Sequence, residues 1–274
     1  MRGVLIYTRA EAERNRFLAE KYLTLFAEKG TELGLVFREE AEKIFVAPPE
    51  FCIMRTPDPT FSRRMEEAGI RVYNRASVSA LCNDKKATTD AARALGIPVA
   101  EELYAGPAAE ARSGVWPCVI KPVDGHGGIG VSRCENAREL ARAAGELAGR
   151  RVVIQRSVSE LGRDLRVYLL GGEPLAAMLR ISDTDFRSNF CLGGRAEPKA
   201  LSGEEEAIVR RLAGSFPFDL VGIDLIYDHG RPLLNEIEDV VGARMLYAYT
   251  DVDVAARYTD YILRDMQTSA KKRI

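Results

Sequence analysis

Histidine is nearly missing from this chain, with two in 274 residues. No Ser–His or Cys–His arrangement offers an activated protein nucleophile. A cationic excess is missing too, since 39 Lys and Arg stand against 40 Asp and Glu. Without it there is no electrostatic footprint for DNA or RNA, and the closing KKRI reads as a solvated tail. Five cysteines (Cys52, Cys82, Cys118, Cys134 and Cys191) are scattered, odd in number and without a Cys-x-x-Cys pair. That excludes a disulfide framework or a paired-cysteine zinc site and fits a reducing compartment. No apolar run approaches the length of a membrane span, and the run from Val4 to Tyr7 is too short for a signal peptide. The expectation is a soluble cytoplasmic protein with no nucleic-acid and no membrane partner; the sequence leaves open whether it forms a homo-oligomer.

What is present suits an ordinary soluble enzyme: 46% apolar and 29% charged residues, in a length that suggests about two domains. GVLIYTR reads as a buried strand, Ala10 to Lys29 as a helix stopped by Gly30, and ELGLVF and FCIM as further strands, an order that suggests a parallel α/β unit. The register changes near residues 75–85. A helix then follows with Asn83 or Asp84 as N-cap, ended by Gly96 and Pro98. DLRVYLLGGEPLAAMLRI and LVGIDLIYDHGRPLLNEIE read as hairpins. Ser202 with Glu205 makes a capping box, and a last helix is expected from about Val252 to Met266.

The stretch VIKPVDGHGGIGVSRC places four glycines between positions 125 and 130. It contains Gly-x-Gly-x-x-Gly at Gly125, Gly127 and Gly130, but a dinucleotide loop opens straight into a helix, whereas here VSRC follows. A Walker loop ends in Gly-Lys-Ser/Thr, and here Lys121 precedes the glycines. Two readings remain: a glycine flap whose backbone N–H groups approach a phosphate beside Lys121, or a flexible hairpin with a surface lysine. The acids favour the first. Alternation along LLNEIE puts Leu234, Glu236 and Glu238 on one face, and a tight turn near His229-Gly230 sets Asp224 opposite or near Glu236. Crowded carboxylates repel unless a cation intervenes, and hard oxygen ligands suit Mg²⁺ or Mn²⁺. Between flap and acids, Arg180, Arg187, Asn189 and the Gly193-Gly194 pair form a polar, cationic set suited to phosphate and carboxylate oxygens.

Taken in order, these residues resemble the ATP-grasp superfamily and, within it, the RimK-like amino-acid ligases. The resemblance rests on Asp84-Lys85, Lys121-Pro122 with Gly125 to Gly130, Gln155, Asp164 to Arg166, Asp185 to Asn189, Gly193-Gly194, Asp224, and Glu236 with Glu238. It implies an ATP-grasp fold of mixed α/β and α+β character behind an N-terminal Rossmann-like domain. The expected division is residues 1–78, a central flap-bearing subdomain at 79–157, and a C-terminal subdomain with the metal site at 158–274. It further implies that Lys85, Lys121, Gly125, His126, Gly127 and Gly128 meet ATP phosphates. Gln155, Arg156 and Val158 would edge the adenine, with Asp164 near the ribose. Asp224, Glu236 and Glu238 would hold two Mg²⁺ or Mn²⁺ ions, while Arg180, Arg187 and Asn189 would serve the reacting groups.

The implied activity joins a small-molecule or peptide carboxylate to an amine, typically an amino acid, through an acyl phosphate, releasing ADP and phosphate. A kinase or thiol ligase on the same fold, or a non-catalytic nucleotide-binding module, are the alternatives. Some positions depart from the family pattern: Glu238 stands where Asn is usual, DVVGAR replaces Ser-Pro-Gly, and FCL replaces Leu-His-Arg. The first adds negative charge at the metal and bears on metal preference; the other two concern the substrate side. Arg55 and Arg244 are candidates for a substrate carboxylate, with a structural salt bridge as the alternative for each.

Overall fold

A computed structural model of the protein describes residues 1–187 and 194–271, with side chains through residue 269. Asn189 and Gly193 therefore lie outside the described residues. The chain begins with a parallel sheet in the order β2 (Glu32–Phe37), β1 (Arg2–Tyr7), β3 (Phe51–Met54) and β4 (Arg71–Tyr73). Its central strands are continuous apolar runs, as burial on both faces requires.

The helix expected from Ala10 to Lys29 is two helices, α1 (Arg9–Arg14) and α2 (Arg16–Glu28). Asn15 separates them: its Nδ2 donates to the Glu11 carbonyl at 2.8 Å, a local bond that competes with continued helix. Thr8 and Glu11 close a capping box on α1. The third and fourth helices, α3 (Pro59–Glu67) and α4 (Ala76–Cys82), lead out of this sheet.

Helix α5 (Lys85–Ala94) follows, capped by Asp84, whose side chain accepts from the Ala87 N–H at 2.9 Å. Beyond it, an antiparallel sheet runs in the order β5 (Glu102–Pro107), β8 (Arg151–Arg156), β6 (Cys118–Pro122) and β7 (Ser132–Cys134). Helix α6 (Ala137–Glu146) packs on one face of it. The glycine loop joins β6 to β7, so a strand and not a helix follows Gly130. Gly127, Gly128 and Gly130 have φ of +63°, +76° and +73°, values that favour glycine.

A second antiparallel sheet has the order β11 (Arg195–Pro198), β10 (Glu173–Ile181), β9 (Glu160–Leu170), β12 (Leu220–Asp228) and β13 (Arg231–Glu238). Leu165, Val167, Leu179, Ile223 and Leu225 cover one face and pack on α7 (Gly203–Ser215), which the Ser202–Glu205 capping box opens. The other face is charged at the end near the flap and apolar at the far end, where Tyr168 and Met178 share a core with β1 and β3. The expected last helix starts later and runs longer, as α9 (Val254–Lys271), after a short α8 (Arg244–Tyr249). Its apolar period stops near Met266, but QTSAK continues as helix because those residues cost little there. Tyr258 on α9 meets Tyr22 and Tyr73 edge-on at 6.3 and 6.5 Å. Among the described residues no helix is long and apolar enough to cross a membrane.

Candidate active site

The site is built on the register of the second sheet. Arg180 of β10 stands opposite Asp164 of β9, Arg166 of β9 opposite Asp224 of β12, and Asp224 opposite Glu236 of β13. Glu238 comes into the same cluster: one carboxylate oxygen from each of Asp224, Glu236 and Glu238 lies within 4.8 Å of the others. The expected alternation along β13 does not hold in full. A bulge shifts the pairing, so Asp224 faces Glu236 but Leu225 faces Leu234. Leu234 thereby joins the apolar face with Ile223 and Ile237. The extra residue, Asn235, is turned toward the flap-bearing sheet and accepts from Lys121 Nζ at 3.1 Å.

Four cations answer the acids. Arg166 donates to both Asp224 oxygens at 2.8 and 2.6 Å and reaches Glu238 at 2.7 Å. Arg180 grips Asp164 and donates to Asp224 at 2.7 Å. Lys85 stands 3.1 Å from Glu236 and donates to the Gly125 carbonyl at 2.5 Å. Lys121, on β6, is the fourth. Burial alone would raise the Asp224 carboxyl, but Arg166 and Arg180 outweigh it and hold its pKa at about 2. Burial raises Glu238 despite Arg166, with Asp224 and Glu236 pushing the same way. Burial opposes ionisation of Glu236 as well, yet Lys85 leaves its pKa lowered. Burial, with Lys85 beside it, brings Lys121 down to about 8.

Two cavities meet here. The first, of about 130 Å³, lies between the two antiparallel sheets. Lys85, Lys121, Gly125, Gly128 and Glu236 line it, with Gln155, Arg156, Val158, Asp164 and Arg187 also on its wall. The second, of about 320 Å³, opens toward the parallel sheet and includes His126, Gly127, Arg180, Glu236 and Glu238. Lys85 and Glu236 belong to both. Arg187 ties the flap down by donating to the Gly128 carbonyl at 3.0 Å, while Asp185 holds its guanidinium at 2.7 and 3.0 Å.

Residues 110–262 match the model of the RimK-like ATP-grasp domain. The chain belongs to the RimK-like ATP-grasp family. The enzyme class of that family is the ATP-dependent carboxylate–amine ligase. A probable alpha-L-glutamate ligase of Pasteurella multocida is 29% identical over 213 residues, covering 75% of this chain and 68% of that one. Two further relatives of that description are covered over only 53% and 50% of their length. Among solved structures, D-alanine–D-alanine ligase from Bacillus anthracis complexed with ATP superposes with a TM-score of 0.79 at 17% identity, over all of both chains. The RimK domain ATP-grasp protein of Sphaerobacter thermophilus superposes with a TM-score of 0.73 at 17% identity, over 96% of this chain and all of that one. These likenesses establish the ATP-grasp fold.

In this RimK-like chain the residues singled out by sequence divide between the cavities. His126 and Gly127 stand on the wall of the second, apart from Gly125 and Gly128 on the first. Arg156 lines the first cavity while its guanidinium binds Glu101 at 2.6 Å. Arg180 and Asp164 are buried and bound to each other. Two residues bound to the site's charged groups, and Tyr7 on the wall of the second cavity, went unassigned at the sequence level. Asn235 was hidden by the bulge. Arg166 carried a signal, since it alternates with Asp164 on a strand beside Asp224. Tyr7 carried none, because it ends an apolar strand.

Proposed function

We propose that this ligase activates a substrate carboxylate with ATP and transfers the acyl group to an amine, the reaction occurring where the two cavities meet. The observation that carries this reading is the shared pair Lys85 and Glu236, standing between a flap-covered cavity and a second cavity lined by charged groups. The first cavity takes the nucleotide, with its adenine along Gln155 to Val158 and its phosphates toward Lys85 and Lys121. The glycine loop closes over them, held by Arg187.

Asp224, Glu236 and Glu238 suit Mg²⁺ or Mn²⁺: all donors are oxygens, they converge, and each carboxylate keeps a lone pair beyond its bonds to Arg166 and Arg180, to Lys85, or to Arg166. The metal supplies charge neutralisation at the phosphates. Arg166 and Arg180 hold Asp224 ionised, and Lys85 holds Glu236 toward the phosphates. A carboxylate oxygen of the substrate attacks the γ-phosphorus, the bond to the β-phosphate oxygen breaks, and ADP departs. The amine nitrogen then attacks the acyl carbon and loses a proton, and phosphate leaves. Catalysis is positioning and charge compensation; Arg187 stabilises the transferring group. We place the divisions of the chain at residues 1–78, 79–157 and 158–274.

The test is a phosphate-release assay with ATP, Mg²⁺, pooled carboxylic acids and amino acids, read by mass spectrometry. L-Glutamate comes first among the amines because of the relatives' descriptions. ADP, phosphate and an amide product are expected. AMP as the product, or a stable phosphorylated acid formed without amine, overturns the reading.

A further inference from the structure

Arg55, at the end of β3, is 5% exposed, and among the described residues no carboxylate pairs with it. The other two arginines with comparable burial, Arg166 and Arg180, are each held by two acids. Arg55 instead donates one Nη2 bond to the Val241 carbonyl at 2.8 Å, and its Nε has no partner. The Tyr7 hydroxyl, 1% exposed at the end of the neighbouring β1, stands beside this guanidinium and makes no hydrogen bond of ordinary geometry among the described residues. Both side chains line the second cavity.

A buried guanidinium without a counter-ion is costly, and so is a buried hydroxyl without a partner. One anion in the cavity would satisfy both, because a carboxylate accepts two parallel bonds from an arginine fork and has lone pairs left for a hydroxyl. Arg14 and Arg244 also line this cavity, and neither has an acidic partner among the described residues. Among the described residues, neither Arg55 nor Arg244 forms the salt bridge that sequence reading offered as the alternative.

Arg55 and Tyr7 line the second cavity alone, whereas Lys85 and Glu236 line both. The carboxylate that ATP activates must reach phosphorus beside Lys85 and Glu236, where the cavities meet. We propose that Arg55 and the Tyr7 hydroxyl bind a second, unreactive carboxylate, so that one substrate of this ligase carries a free carboxylate that survives the reaction. This rests on the function proposed above. The carboxylate comes either from the α-position of an amino-acid or peptide amine or from the far end of a dicarboxylic acid.

The test uses the full chain with Mg²⁺ and a non-hydrolysable ATP analogue. Calorimetry compares L-glutamate with its α-amide and its γ-amide, and succinate with succinamate. One carboxylate form should bind at least about tenfold more tightly than its amide, as a charge-assisted bidentate pair requires. Loss with the α-amide assigns the amino-acid source; loss with the γ-amide or succinamate assigns the distal carboxyl. Arg55→Gln should erase the preference and Tyr7→Phe should reduce it, with nucleotide affinity and Tm preserved. Equal binding of acid and amide, no binding of any probe, or a preference intact in Arg55→Gln overturns the inference. A wild-type chain that fails to bind the nucleotide analogue overturns the proposed function first, and this inference with it.

Discussion

Lys121 shows how burial sets the chemistry of one side chain. Burial and the neighbouring Lys85 charge depress its pKa from 10.5 to about 8, against the pull of Glu236. Its folded pKa is therefore below its unfolded one, so the group contributes increasing stability as pH rises from about 8 toward 10.5. A triphosphate favours the charged form and reverses that preference. ATP should thus bind with proton uptake near pH 8 and lose affinity as the pH rises beyond it. Calorimetry in buffers of different ionisation enthalpy at pH 7 and pH 9 checks both. Lys121→Ala should weaken ATP binding by about tenfold, the worth of one charge-assisted contact, and remove most of this pH dependence; unchanged affinity would deny the role. Glu236→Gln should leave the melting curve in place and cut turnover by about a hundredfold or more, since one charge is lost where the phosphates gather. A variant with full activity would remove Glu236 from the site.

At the level of elements, β12 and β13 decide what sequence could reveal. That the hairpin brings Asp224 near Glu236 was legible from the turn at residues 228–231, but an unbroken register would set Asp224 opposite Asn235, and only the bulge makes Glu236 its partner. The bulge at Asn235 was not: a two-residue period continues through LLNEIE on paper, and only packing of Leu234 against the Ile223 face makes the chain skip. Asp84 as a cap, the Ser202–Glu205 box and the hairpin at Gly171-Gly172 were legible from local chemistry. The break at Asn15 was not, because apolar spacing continues across it. Gly222 of β12 has a role that composition hides. A Cβ there would stand 2.6 Å from Val241 Cγ2, in the segment that also receives the Arg55 bond. Gly222→Ala should cost about 1–3 kcal/mol in urea denaturation, the usual effect of overpacking, and should also lower affinity for substrates of the second cavity.

Across the whole molecule, the first sheet and the end of the chain share one core. Leu5, Phe51 and Tyr73 pack with Leu246, Tyr258 and Ile262. Arg71 of β4 reaches Asp219, just before β12, at 2.6 Å, with the aspartate 2% exposed. Arg71→Ala leaves that carboxylate buried without its counter-charge and should cost about 3 kcal/mol in a denaturant melt. This union of chain ends was not legible, because no local pattern states which apolar faces meet. A single strand also joins the flap-bearing half to the acidic half. Leu234 of β13 donates to the Pro98 carbonyl at 2.9 Å and bridges Val99, while the next two residues reach Lys121 and Lys85. The strand that presents the acids thus also carries the backbone bond to the segment that leads into the flap-bearing sheet. Deuterium should enter the flap amides early and reach the Leu234 amide late, so that the join between the halves outlasts the cover over the nucleotide cavity.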